Sequence, residues 1–132
     1  MLQPLLLRKS QELIQKCAGQ GLEIVITEGF RSMARQNELY AQGRTKPGNI
    51  VTNARGGESL HNYGVAFDIC FVVNGKRTYT GDWNKVGSIG ESIGLEWGGR
   101  WKSFIDRPHF QIMAGYSLNN FMKKQIDYSK FN

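Results

Sequence analysis

Apolar residues open the chain at helical spacing: Leu6, Leu13, Ile14 and Cys17 fall on one stripe, and Gly19 and Gly21 end it. The spacing predicts a helix from Pro4 to Ala18. Leu22 to Thr27 (LEIVIT) is rich in β-branched residues and predicts a buried strand. Glu28 to Arg31 reads as a turn, and Ser32 caps a second helix running to Gln42. From Gly43 to Ser59 the pattern fails. The segment is polar and holds Gly43, Gly48, Gly56, Gly57 and Pro47, so it predicts a long loop of the kind that is functional or disordered.

Period-two alternation then sets in. Val65, Phe67, Ile69, Phe71 and Val73 share one face of a predicted strand, and Ala66, Asp68, Cys70 and Val72 share the other. Asn74-Gly75 predicts a hairpin turn, with Arg77 to Thr80 returning. Asp82 caps a helix from Trp83 to Ile93, with Val86, Ile89 and Ile93 on one face and Gly94 as the stop. Trp97-Gly98-Gly99 reads as a tight turn. His109 to Ala114 predicts a strand with Phe110 and Ile112 facing one way, and His109 and Gln111 the other. Ser117 caps a last short helix carrying Leu118, Phe121, Met122 and Ile126. Helices mixed with hairpin strands, without regular βαβ alternation, predict an α+β fold: one compact domain over residues 1–132, with a small, mostly antiparallel sheet and flanking helices.

Composition adds limits. The chain has 132 residues, 40% hydrophobic and 21% charged, which suits one globular domain. No apolar run reaches the roughly 18–20 residues of a membrane span. Leu5-Leu6-Leu7, followed at once by Arg8, is shorter than a signal-peptide core, so no export leader is expected. The net charge is +6, which serves solubility or draws the protein to a polyanion such as an acidic cell wall. The basic residues form no run of five or more, which speaks against a nucleic-acid tail. Cys17 and Cys70 lie far apart with no CxxC pattern; two buried free thiols and a disulfide are both open.

The chain has only two histidines, and each has an aspartate nearby: Asp68 follows His61 by seven residues, and Asp106 precedes His109 by three. A carboxylate inside a hydrophobic strand is costly unless it is paired or holds a metal, and positions that break a local rule are often functional. Gly64 allows the chain to bend so that His61 reaches the strand. If the strands of Asp68 and His109 are neighbours, two imidazoles and one carboxylate converge. With a water in the fourth position that is a catalytic zinc pattern. Asp106 then lies near the open position. Zinc lowers the pKa of a water from ~15.7 to about 7, and a nearby carboxylate can move the proton. Spacing alone leaves open both this site and two ordinary polar strand residues.

Ser59-Leu60-His61-Asn62-Tyr63-Gly64-Val65-Ala66-Phe67-Asp68 resembles the SxHxxGxAxD signature of VanY-type zinc D-alanyl-D-alanine peptidases, a group that extends to lysostaphin-type enzymes and the Hedgehog signalling domain. Asp106-Arg107-Pro108-His109-Phe110 is similar to the second motif of that family. Glu28 to Ser32, Leu39 to Thr45, Asn53 to Gly57 and Trp97 to Gly99 resemble its L-alanyl-D-glutamate endopeptidase branch, which includes phage endolysins and bacterial wall hydrolases. The resemblance covers roughly residues 4 to 112, in order.

It implies zinc held by His61, Asp68 and His109, with Asp106 as general base and acid. It implies that Arg31 binds a substrate carboxylate or polarises the scissile carbonyl; a surface salt bridge is the other reading. Gln36 is implied as a substrate contact or a support behind the site, a solvated helix residue being the alternative, and Ser59 as a support for a zinc ligand. Arg100 departs from the aspartate of many relatives and changes the expected subsite charge. Aspartate rather than glutamate at 106 favours the endopeptidase branch.

The resemblance therefore implies a bacteriolytic hydrolase, a metallopeptidase degrading peptidoglycan stem peptides at the L-alanyl-D-glutamate bond. The alternatives are a D-alanyl-D-alanine carboxypeptidase and a catalytically silent, zinc-stabilised wall-binding module; a nucleic-acid binder lacks any supporting motif. The protein is expected to act as a monomer at the cell wall or periplasm, as a phage lysin made in the host cytoplasm or a mature exported domain. No separate wall-binding domain is expected, so the basic surface would supply targeting.

Overall fold

The computed structural model describes residues 1–132. Its helices are α1 (Pro4–Gly19), α2 (Met33–Ala41), α3 (Trp83–Ser92) and α4 (Leu118–Met122), and its strands are β1 (Ile24–Glu28), β2 (Ala66–Val73), β3 (Lys76–Thr78), β4 (Glu96–Trp97) and β5 (His109–Gln111). Three short 3-10 turns fill in at Leu60–Tyr63, Gly98–Arg100 and Tyr128–Phe131. The strands form one sheet in the order β1-β2-β5-β4, with β3 also on β2, and every pairing is antiparallel. The α+β expectation therefore holds.

Strand β2 organises the sheet because both its faces are apolar. Phe67, Ile69 and Phe71 are buried on one side, and Ala66 and Cys70 on the other. Along one edge it pairs with β1; along the other, its first residues pair with β5 and its last with β3. Leu6, Leu13 and Cys17 of α1 and Val86 of α3 close the core over Phe67, Ile69, Phe71, Trp97 and Phe110. Phe67 and Phe110 stack with ring centroids 5.8 Å apart, which fixes the β2–β5 pairing from beneath. Helix α3 approaches this close only because it carries glycine on that side. A Cβ at Gly87 would run into the Trp97 indole, and one at Gly90 into the Phe110 ring.

The local chemistry at the element ends explains most boundaries. Ser32, Asp82 and Ser117 accept hydrogen bonds from Arg35, Lys85 and Asn120 backbone N–H groups, capping α2, α3 and α4 as predicted. The first strand begins two residues later than predicted because the Leu22 amide is used to close α1, on the Cys17 carbonyl. The hairpin turns on Asn74 and Gly75, both at positive φ, so Lys76 already faces Val73. The return strand therefore starts one residue earlier than the predicted Arg77 and ends at Thr78. Val73 is half exposed instead of core. The predicted strand from His109 to Ala114 stops at Gln111, and Ala114 and Gly115 have left-handed backbone. The predicted turn at Trp97-Gly98-Gly99 is instead the end of β4 followed by a 3-10 turn, with Trp97 opposite Phe110. The last helix stops at Met122, short of Ile126, with Lys124 at positive φ.

Both cysteines are free and buried. Burial pushes the Cys17 thiol up to about 11, as befits a small apolar filler in the α1 face.

Candidate metal centre

Each of the two histidines is placed by a different device. His61 sits in the 3-10 turn Leu60–Tyr63, whose start is capped by Ser59: the Ser59 hydroxyl accepts from the His61 backbone N–H at 3.3 Å. Asn62 ties the turn down, its side-chain carbonyl accepting from Gly57 N–H at 3.0 Å and its amide donating to the Arg31 carbonyl at 2.9 Å. Gly64 then reverses the chain at φ 73°, where an added Cβ would collide with the Met1 carbonyl. His109 needs no such device. It lies on β5 directly opposite Asp68 on β2, so the sheet ladder alone brings imidazole and carboxylate together.

His61 Nε2 lies 3.4 Å from Asp68 Oδ1, and His109 Nδ1 lies 3.2 Å from the same oxygen. All three donor atoms fall within 4.8 Å of one another. Ligands about 2.0–2.1 Å from a tetrahedral ion stand ~3.3 Å apart, so the two contacts to Asp68 have the spacing of a coordination edge. The imidazole rings meet edge to face, centroids 5.2 Å apart.

The hydrogen bonds behind the rings decide which nitrogens are free. His61 Nδ1 lies 2.9 Å from the Gly29 carbonyl, which only accepts, so Nδ1 carries the proton and the Nε2 lone pair points inward. His109 Nε2 lies 2.7 Å from Gln111 Oε1. The orientation of that amide is set in turn, since Gln111 Nε2 donates to Glu96 Oε2 at 3.0 Å. Trp101 Nε1 donates to the same carboxylate oxygen at 3.0 Å, and its ring packs 5.2 Å from His109. His109 therefore offers Nδ1. Two imidazole lone pairs and a carboxylate face one point, and they repel unless a proton or a cation lies between them. The donor set thus fits a borderline-soft divalent ion that takes nitrogen and oxygen ligands. The outer chain Gln111–Glu96–Trp101 orients the ring as partners behind a metal ligand do.

Asp68 is held well below the usual carboxylate range. Burial opposes its ionisation, but the hydrogen bonds and charges of His109 and His61 outweigh it. On His109 burial again opposes charge, and the Asp68 contact overrides it and raises the pKa. Asp106 behaves differently. Its side chain stays 47% exposed, with Oδ2 3.9 Å from His109 Nδ1. Burial and then the charge of Asp68 raise its pKa against the opposing pull of the two histidines. A carboxylate beside the cluster, outside the set of three, with raised proton affinity is suited to proton transfer.

Arg31 stands on the other flank. Nε donates to Glu28 Oε1 at 3.0 Å and Nη1 to Gln36 Oε1 at 2.9 Å, and its backbone N–H donates to the His61 carbonyl at 2.9 Å. The guanidinium is thus aimed, with Nη2 left over. The salt-bridge reading of Arg31 is correct as to Glu28, though the side chain is only 15% exposed and lies by the His61 segment. Gln36 needs correction as to solvation. It is fully buried, so it is not a solvated helix residue, and it sits behind Arg31 as a support. Its amide donates to the Ala54 carbonyl at 2.8 Å and to Thr52 Oγ1 at 3.4 Å, pinning the long loop to Arg31. Arg100 turns away to α3, where Glu91 holds it at 3.1 Å.

Sequence reasoning missed Gln111, Glu96 and the Gly29 carbonyl. Gln111 left a signal, being two residues from His109 on the same strand face. Glu96 left none, because its register against Gln111 arises from the sheet.

The profile of a family described as D-alanyl-D-alanine carboxypeptidase matches residues 52–112, a span holding all three metal-facing residues and Asp106. The peptidoglycan L-alanyl-D-glutamate endopeptidase CwlK of Bacillus subtilis is 45% identical over 123 residues, 85% of this chain and 74% of that protein. The L-alanyl-D-glutamate peptidase of a Listeria phage is 28% identical over 86% of this chain, which spans only 39% of the phage protein. Among solved structures, the L-Ala D-Glu endopeptidase ChiX of Serratia marcescens superposes with a TM-score of 0.64 at 25% identity, over 84% of this chain and 80% of that one.

Proposed function

Because this chain belongs to the D-alanyl-D-alanine carboxypeptidase family of peptidases, we propose that it is a zinc peptidase hydrolysing the L-alanyl-D-glutamate bond of peptidoglycan stem peptides. The observation that carries the reading is the convergence of His61 Nε2, Asp68 Oδ1 and His109 Nδ1, with Asp106 3.9 Å from His109. The match to a Bacillus wall endopeptidase selects this bond over removal of a terminal D-alanine.

In this reading His61, Asp68 and His109 hold the ion. When bound, zinc supplies Lewis acidity toward the scissile carbonyl and makes water a nucleophile near neutral pH. Asp106 takes the proton of the attacking water and delivers it to the departing glutamate nitrogen. Arg31 receives a substrate carboxylate on its free Nη2 edge, held in place by Glu28 and Gln36. Ser59 acts through the backbone of His61. The protein would work at the cell wall, with the net charge of +6 drawing it to the acidic polymer.

Mass spectrometry of muropeptides after digestion, with zinc and with chelator, tests this. A new glutamate amino terminus that disappears on chelation is expected. Release of D-alanine alone would assign the carboxypeptidase activity instead, and binding to wall without any cleavage would overturn the enzyme reading.

A further inference from the structure

Beside Asp106 lies a cavity of about 710 Å³ walled by two loops and the start of α4, with Thr52, Ala54 and Glu58 from one loop, Trp101 and Phe104 from the other, and Leu118 from the helix. Two of these side chains are not explained by folding. Phe104 is 84% exposed and sits at φ 52°, a left-handed backbone that a bulky residue adopts at a cost. Exposure and strain together give it no structural return where it stands. Glu58 accepts the Arg55 backbone N–H on Oε1 at 2.8 Å, and no cation of the protein pairs with it. One loop thus brings an unpaired negative charge to the cavity, and the other brings bare aromatic surface.

The cavity meets the proposed reaction centre at one end. Asp106 lines it directly. Arg31 connects to it through Gln36, whose amide holds Thr52 and Ala54 in the wall. A substrate whose scissile bond lies by Asp106 therefore has this space beside it for a neighbouring residue. A ligand that suits an apolar wall facing the unpaired Glu58 carboxylate is an alkyl chain ending in an ammonium group.

We propose that this cavity is the subsite for the diamino acid that follows D-glutamate in the stem peptide. Glu58 receives its side-chain ammonium, and Phe104 and Trp101 flank its methylenes. The inference rests on the endopeptidase reading above. It makes Glu58 a specificity residue: the enzyme reads a positive charge two positions beyond the alanine it cuts after.

The test uses two peptides, N-acetyl-L-Ala-γ-D-Glu-L-Lys with the lysine side-chain amine free and the same peptide with that amine acetylated. Cleavage by the zinc-loaded wild-type protein is followed as kcat/KM. The free-amine peptide is expected to be cut about tenfold better. Glu58→Gln keeps an acceptor for the Arg55 amide, and it should bring the two peptides together by lowering cleavage of the free-amine one. Phe104→Ala should raise KM for both. Equal cleavage of the two peptides by the wild-type protein would overturn the subsite, as would a Glu58→Gln variant that retains the preference. If neither peptide is cut while muropeptides lose D-alanine, it is the endopeptidase reading that fails.

Discussion

The floor and the rim of the reaction centre are built on opposite principles. On the floor, Asp68 and His109 face each other across two antiparallel strands, with Phe67 and Phe110 stacked beneath and both histidines nearly inaccessible. On the rim, residues 43–59 and 101–108 contain no strand of the sheet, and they expose Ile50, Val51, Phe104 and Ile105. Coordination tolerates errors of only ~0.2 Å, so its ligands belong on a hydrogen-bonded ladder. Recognition needs shape and charge that can change without unfolding the scaffold, which loops supply. His61 marks the boundary. It is a floor residue delivered by a loop, and Ser59, Asn62 and Gly64 make that stretch as defined as a strand.

If this contrast is right, damage should fall off from floor to rim. His109→Ala should be the most severe change. It removes one of the three proposed ligands, so zinc content by atomic absorption should fall to background and peptidase activity with it. Asp106→Asn separates chemistry from binding. Zinc content should be unchanged while kcat drops by about 10²–10⁴-fold, and loss of metal in this variant would place Asp106 among the ligands. Gln111→Met removes the acceptor behind His109, and zinc affinity measured by competition with a chelating dye should weaken about 10–100-fold.

A subtler effect concerns pH. In chelated protein Asp68 is depressed below its ordinary 3.8 and His109 raised above its ordinary 6.5. The Asp68 contribution to stability is present above pH 3.8 and lost as pH falls through its folded value. The His109 contribution is present below pH 6.5 and lost as pH rises through its folded value. Chelated protein should therefore melt higher at pH 5.5 than at pH 8.5. Zinc should reverse the order, because protons compete for the His109 lone pair. An unchanged melting order in His109→Gln would show that other groups carry the dependence. On the rim, Val51→Ser should change stability by under ~0.5 kcal/mol in urea titration, since Val51 is already 56% exposed.

The sequence by itself determined most of the elements and, through the family resemblance of its motifs, nominated the metal-facing set. Alternation along 65–73 exposed Asp68 as the one charge in a buried strand, the two histidines of the chain were candidates beside it, and the resemblance of the motifs around them joined the three. Caps at Ser32, Asp82 and Ser117 were equally legible because a cap is a local bargain between a side chain and the next turn. The tertiary structure decided what depends on residues distant in sequence. That His109 would lie opposite Asp68, and present Nδ1 and not Nε2, follows from the β2–β5 register and from Gln111 and Glu96 behind the ring. That Gln36 is a buried strut rather than a solvated helix residue follows from the fold of 52–54 over α2. Local pattern records which face a side chain takes; only the packed sheet and loops determine which lone pair meets which neighbour, because those distances are set by contacts between segments tens of residues apart.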